Sequence, residues 1–484
     1  MKRMKKWKFL VMVLLGIVFL GACQNGNDTE DGGDGGDVAG SDQTPVEQDP
    51  NNPLPPMTTD EITLTYASWE NPEMMDFLAE RFMEQYPNIK VEVLHLSLDD
   101  YNEAIFNLAS AGQLPDVFWY LDDITTPLEN QWLGDFSEFF DADPESEYMP
   151  DSLKDAGIIG DKRVSAPSKV LPFAIFLDQA LLERVNVEMP SVNWTYNEMI
   201  ELAKDMTFPD QHIFGMNMFT QLITIAPIVN QDAIGEFGWD GESFDFSEFA
   251  RAYEQQREFA RTNVFPPPGD SEEAAAIFGD ADIWPASTGQ LAMQVDAIWT
   301  ANLFEEPEFK DKGIDFVIYP VPRGDQAETD NKPAYVDFGG ISSVTEHPRE
   351  AYELLKWMGW GTEGWMHKIE GFETLENADG SPVFVYPDGI PILNNEEIWN
   401  AYRELVPQTD YWMGFLDSSR SPVAMGSSYI PGFRAFLNWM TEQDIWGQLD
   451  RDEVNIYDIQ DHITENANRF VHEATERALS VYSD

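Results

Sequence analysis

A single thiol and many aromatic rings are the side chains here whose types could do chemistry. Cys23 is the only cysteine in the 484 residues, so neither a disulfide framework nor a thiolate metal cluster is possible. It closes Leu20-Gly21-Ala22-Cys23, the pattern of a bacterial lipobox: small residues let a signal peptidase reach the backbone, and the thiol can carry a diacylglyceryl group. Fifteen Trp and sixteen Tyr exceed what a core of this size needs. Ring faces pack on the C–H faces of sugars, and sugar hydroxyls need polar partners beside them. Other chemistries find less support. Asp141-Ala142-Asp143-Pro144-Glu145-Ser146-Glu147 opens like a calcium loop, but it lacks glycine at the sixth position and has Ser152 where the bidentate glutamate belongs. A solvated acidic loop is the expected reading. His472-Glu473 is followed by Glu476 where a zinc-protease helix would carry its second histidine. Asn377-Ala378-Asp379-Gly380 reads as a turn. There is no Gly-x-Ser-x-Gly elbow and no phosphate-binding P-loop. No metal or cofactor is expected. Carboxylates are abundant enough that a glycosidase pair stays open.

The elements that carry these residues begin with a targeting segment. Lys2, Arg3, Lys5, Lys6 and Lys8 form a basic stretch ahead of an apolar run at 9–20. That run is too short to span a bilayer comfortably and suits a signal peptide over residues 1–22. Residues 23–60 are rich in Gly, Asp, Asn and Pro, as in Asp31-Gly32-Gly33-Asp34-Gly35-Gly36-Asp37 and Pro53-Leu54-Pro55-Pro56. Nothing in them offsets the entropy of ordering, so they read as a tether reaching roughly 30–40 Å from the lipid. The expected place is the outer face of the cell membrane, held through the lipid anchor only.

The body, 61–484, is long enough for two lobes. Across the chain 87 acidic residues face 29 basic ones, a net charge of −58. Such a field repels nucleic acid and anionic lipid headgroups. Strand and helix patterns alternate, the mark of an α/β fold. Ile62-Thr63-Leu64-Thr65-Tyr66 alternates like a strand. Asn71 and Pro72 then suit a helix start, and Met75, Leu78, Phe82 and Tyr86 recur at helical spacing. Ile89-Lys90-Val91-Glu92-Val93 is a second strand, a helix is predicted over about 101–111, and Thr195 with Glu198 has the spacing of a capping box.

Five stretches together resemble the family 1 extracellular solute-binding proteins, the group that includes maltose-binding protein. They are the strand-Trp-helix opening around Trp69; Ala111-Gly112-Gln113-Leu114-Pro115-Asp116-Val117-Phe118-Trp119; Leu177-Asp178-Gln179-Ala180-Leu181-Leu182-Glu183 with Asn193-Trp194-Thr195; Gly289-Gln290-Leu291-Ala292-Met293 leading to Trp299; and Phe316-Val317-Ile318-Tyr319-Pro320-Val321-Pro322 before Gly339-Gly340-Ile341-Ser342. Their joint order over 61–370 is specific, and the last hundred residues match loosely.

The resemblance implies two α/β lobes, 61–172 plus 321–372 and 173–320 plus 373–484, closing on a solute by hinge motion. Chain crossings are expected near Pro172-Phe173, near Ile318-Tyr319 and after about residue 372. The solute would lie between the lobes, outside the carboxyl ends of the strands. It implies a monomeric, non-enzymatic binding protein that delivers a sugar or oligosaccharide to an ABC permease driven by a cytoplasmic ATPase. A secreted glycoside hydrolase or lyase, or a ligand-presenting receptor or adhesin, are the alternatives. Trp299 is the leading candidate for stacking a sugar ring, against a place inside a lobe. Trp119 and Tyr120 follow the Pro-Asp-Val-Phe strand, where the family again uses an aromatic, and Asp122 stands close behind. Trp69, with Glu70 and Asn71, either lines the cleft or covers the helix start. Trp239 is a rim aromatic or a turn anchor, Trp412 a late aromatic in a poorly matching region, and Asp337 can face the cleft ahead of two glycines. Asp178 is expected to cap a helix.

Overall fold

The computed structural model describes residues 53–121, 123–217, 221–425 and 428–482. Cys23, the signal peptide and most of the tether lie outside the described residues, and so does Asp122.

The opening units form as their patterns dictate. Strand β1 (Ile62–Ser68) buries Leu64 and Tyr66, and the helix α1 (Pro72–Gln85) follows. The Asn71 side chain caps α1 by accepting from the Met74 amide at 2.9 Å, with Pro72 in the first turn. Met75, Leu78 and Phe82 form its buried face. Strand β2 (Ile89–His95) runs parallel to β1, the helix α2 (Tyr101–Ser110) returns, and strand β3 (Val117–Tyr120) joins the other side of β1. A short hairpin, β4 (Ile158–Ile159) and β5 (Lys162–Arg163), precedes the strand β6 (Ala166–Asp178). The remaining strands are β7 (Phe214–Met216), β8 (Leu291–Ala297), β9 (Phe316–Pro320), β10 (Lys332–Ile341) and β11 (Pro422–Met425). One sheet runs β2-β1-β3-β10-β6-β8-β7, with β11 beside β10 and β9 beside β6.

Strand β6 is the crossing element. Residues 166–172 pair with β10, and 173–178 pair with β8 and β9. All 13 of its residues are buried, as a strand covered on both faces requires. The change of partner falls at Pro172-Phe173, and the chain returns through the loop between Pro320 and Lys332. Two cores result. One gathers Leu64, Phe82, Trp119, Tyr352 and Trp360; the other gathers Met199, Ile225, Phe249, Phe436 and Ile463.

The C-terminal stretch divides between them later than residue 372. Ile390, Leu393, Trp399, Tyr402 and Phe415 pack in the first core, while Tyr411 already touches the second and β11 enters it with Val423. The reason is local. Helix Glu396–Arg403 buries the stripe Ile398, Trp399 and Tyr402. The Trp399 ring donates to the Leu393 carbonyl at 2.9 Å, the Tyr402 hydroxyl to Gly389 at 2.7 Å.

The acidic segment at 141–147 is not the solvated loop its composition suggests. Asp143 is buried, accepting from Lys356 Nζ at 2.8 Å and the Tyr352 hydroxyl at 3.1 Å, and Glu145 pairs with Lys356 at 2.6 Å. Among the described residues, no group of three or more metal-ligating side chains is assembled. The Thr195–Glu198 capping box forms, and Asp178 caps the helix Gln179–Val185.

Candidate ligand-binding cleft

A cavity of about 590 Å³ opens where the two cores meet. The ends of β1 and β3 deliver Trp69 and Tyr120 to it, β10 delivers Tyr335 and Asp337, and the turn after β8 delivers Trp299. Trp299 lies nearly parallel to Tyr335, with centroids 5.7 Å apart and planes 8° apart. Both rings pack against both cores. Trp69 stands edge-on to Tyr101 at 4.7 Å and to Trp119 at 5.0 Å. The Tyr101 hydroxyl donates toward the carbonyls of Ala67 (3.1 Å) and Trp119 (2.8 Å), tying the two strand ends together beneath Trp69.

Strand parity separates Trp119 from Tyr120. Successive strand residues point to opposite faces, and of the pair Tyr120 alone lines this cleft. Tyr120 lines the cleft, with its hydroxyl 3.1 Å from Ser165 Oγ. Trp119 is only 1% exposed and sits behind Trp69, supporting that ring in place of facing solute. Asn71 is spent on the α1 cap. Trp239 is buried on Phe244 at 4.8 Å and borders a different crevice, with Tyr429 and Ile430. Trp412 is buried against Tyr386 at 5.1 Å, away from the cleft lining. Asp123, next to the undescribed Asp122, reaches the cleft and accepts from the backbone amides of Thr125 (2.9 Å) and Arg434 (3.0 Å).

Glu70 belongs to a charge cluster in the cleft wall. Lys169 on β6 donates to Glu70 at 2.6 Å and to Asp388 at 2.8 Å. Burial alone would lower the Lys169 pKa, but Asp388 and Glu70 reverse this and raise it. Burial works against the Glu70 carboxylate, and Lys169 nonetheless holds its pKa below the ordinary value. Asp337 faces Lys169 across the β10–β6 ladder. Burial pushes its pKa up to about 7; Lys169 opposes this, and the charges of Glu70 and Asp388 add to it.

That shift has a stability consequence. A carboxyl whose folded pKa lies above its unfolded value makes the native state bind more protons, so stability falls as pH rises through the interval. For Asp337 the interval runs from about 4 to about 7. Asp337→Asn removes the penalty. We expect the variant to gain about 1–2 kcal/mol over wild type at pH 8, allowing for solvent at the cleft wall, and nothing near pH 4. Denaturant melts across that range check it; a pH-independent difference contradicts it.

Sequence reasoning overlooked several lining residues: Lys169, Tyr335, Asp388, Glu236, Phe433 and Arg434. Two left a signal. Lys169 is a lone cation inside an apolar strand, and Tyr335 stands two residues before Asp337, hence on its face of β10. The others lie in loops or in the weakly matching C-terminal region.

A two-lobed α/β fold with an aromatic and acidic cleft at its strand ends defines a solute-binding protein. Residues 67–359 match the family of bacterial extracellular solute-binding proteins, and the chain belongs to that family. Solved structures agree in fold. The cyclic α-maltosyl-1,6-maltose binding protein of Arthrobacter globiformis is 14% identical, with a TM-score of 0.63 over 86% of this chain and 100% of that one. A sugar transporter of Rhizobium etli in an open conformation is 15% identical, at 0.62 over 84% and 98%. An ABC substrate-binding protein of Listeria monocytogenes in complex with cycloalternan is 16% identical, at 0.58 over 88% and 100%.

Proposed function

We propose that this protein captures a sugar or oligosaccharide between its lobes and hands it to an ABC permease, held at the outer face of the membrane by a lipid on Cys23. The observation that carries the reading is the cleft itself: Trp69, Tyr120, Trp299 and Tyr335 stand beside carboxylates in a space of about 590 Å³. Rings serve the C–H faces of a sugar and carboxylates its hydroxyls. The names of the structural neighbours, among them the cycloalternan complex and the cyclic α-maltosyl-1,6-maltose binding protein, support the sugar class. Solute bridging both walls shifts the population toward a closed form, which the permease recognises. Binding is reversible and leaves the solute unchanged.

The test is a panel of mono- and oligosaccharides screened for a rise in melting temperature, with every hit analysed for products. A saturable rise with the saccharide recovered intact is expected. A saccharide that is consumed makes the protein an enzyme; a panel with no rise removes sugars as the solute class.

A further inference from the structure

The polar lining of the cleft is unbalanced. Asp123, Glu236, Asp337 and Asp388 contribute carboxylates, against Lys169 and Arg434 as the basic groups among the described lining residues. Lys169 is already shared between two anions, Glu70 at 2.6 Å and Asp388 at 2.8 Å, before Asp337 is counted. Asp337 stands opposite Lys169 in the ladder, yet among the described residues no Lys or Arg nitrogen pairs with its carboxylate. The other nearby cation, Lys368, is buried and directs its ammonium toward the Met358 carbonyl at 3.5 Å.

Asp337 also has a particular neighbour. Tyr335 lies two residues earlier on β10, so the two side chains share a face about 6–7 Å apart along the strand. Tyr335 in turn stacks with Trp299. A carboxylate with no ion-pair contact of its own therefore stands beside an aromatic pair whose ring faces attract cations. A neutral sugar would satisfy the rings and leave the Asp337 carboxylate without an ion-pair contact in the cleft wall. A ligand carrying a cation supplies it. The charge of −58 on the whole chain favours the same sign of ligand.

We infer that the cleft selects an amino sugar, a saccharide with a protonated primary amine that packs on Trp299 and Tyr335 and sets its ammonium against Asp337. This rests on the saccharide reading above and narrows it. The upward-shifted carboxyl of Asp337 gives up its proton on binding such a ligand, since an adjacent cation favours the charged form.

Calorimetric titration of the full chain in detergent at pH 7 tests it. Glucosamine, galactosamine, mannosamine and glucosamine oligomers are each compared with the counterpart bearing a hydroxyl or an N-acetyl group in place of the ammonium. The ammonium member of at least one set is expected to bind about tenfold or more tightly than both counterparts. In Asp337→Asn that preference should shrink to within about twofold. Neutral members binding as well or better overturn the inference and leave the saccharide reading standing. A preference undiminished in Asp337→Asn overturns the assignment of Asp337. No binding in any set overturns the inference, and the saccharide reading is then decided by the wider panel above.

Discussion

Replacing Trp299 with alanine is expected to weaken saccharide binding by about 2–4 kcal/mol, roughly thirtyfold to a thousandfold. The ring stacks with Tyr335 at 5.7 Å, and both rings touch both cores. Truncation therefore removes one stacking surface and frees its partner from a fixed pose. The loss falls on binding and largely spares folding, because Trp299 is only partly buried where it lines the cleft. Titration of the folded variant decides it, with Trp299→Phe expected to recover part of the affinity. Unchanged affinity in Trp299→Ala takes this residue out of the site.

The second large effect is on stability. Lys169→Met is expected to cost about 3–5 kcal/mol at neutral pH, the range for leaving buried charges without their partner. Glu70 and Asp388 keep side-chain exposures of only 8% and 24%, and both pair with the one ammonium. The pH dependence follows from Glu70. In the wild type Lys169 holds its pKa below the ordinary value, so the pair contributes stability above the carboxylate range that is lost as pH falls through it. In the variant only Lys368 and the Asn71 amide still oppose the effect of burial, so Glu70 protonates at higher pH than in the wild type. The deficit of the variant should therefore narrow below about pH 5. Adding Glu70→Gln and Asp388→Asn should recover most of the loss at pH 7. A single variant as stable as wild type, or a triple variant no better than the single, contradicts the account.

These residues show what a linear sequence does and does not reveal. Alternation in β1, the Asn71-Pro72 helix start and the apolar spacing of α1 are local, and the elements form where that local pattern places them. The crossing at Pro172-Phe173 was legible through the family resemblance, and β6 changes partners there. Which of Trp119 and Tyr120 faces the cleft depends on strand parity relative to a sheet face, and that requires the register. Trp239 and Trp412 look like Trp299 in sequence; only the packing of Phe244 and Tyr386 around them distinguishes a buried ring from a lining one. The charge cluster had one local sign, the lone cation Lys169 in an apolar strand, and none of its pairing. Lys169 meets partners 99 and 219 residues away, and the second lies in a stretch that packs with the first core contrary to expectation.

The central claim is that one solute bridges two lobes and draws them together. Small-angle X-ray scattering of the purified protein, alone and saturated with the best saccharide from the panel, tests it most directly. A saturable fall in the radius of gyration, with the saccharide recovered intact, is the predicted result. An unchanged radius at full occupancy would place the solute on one lobe and contradict capture by closure.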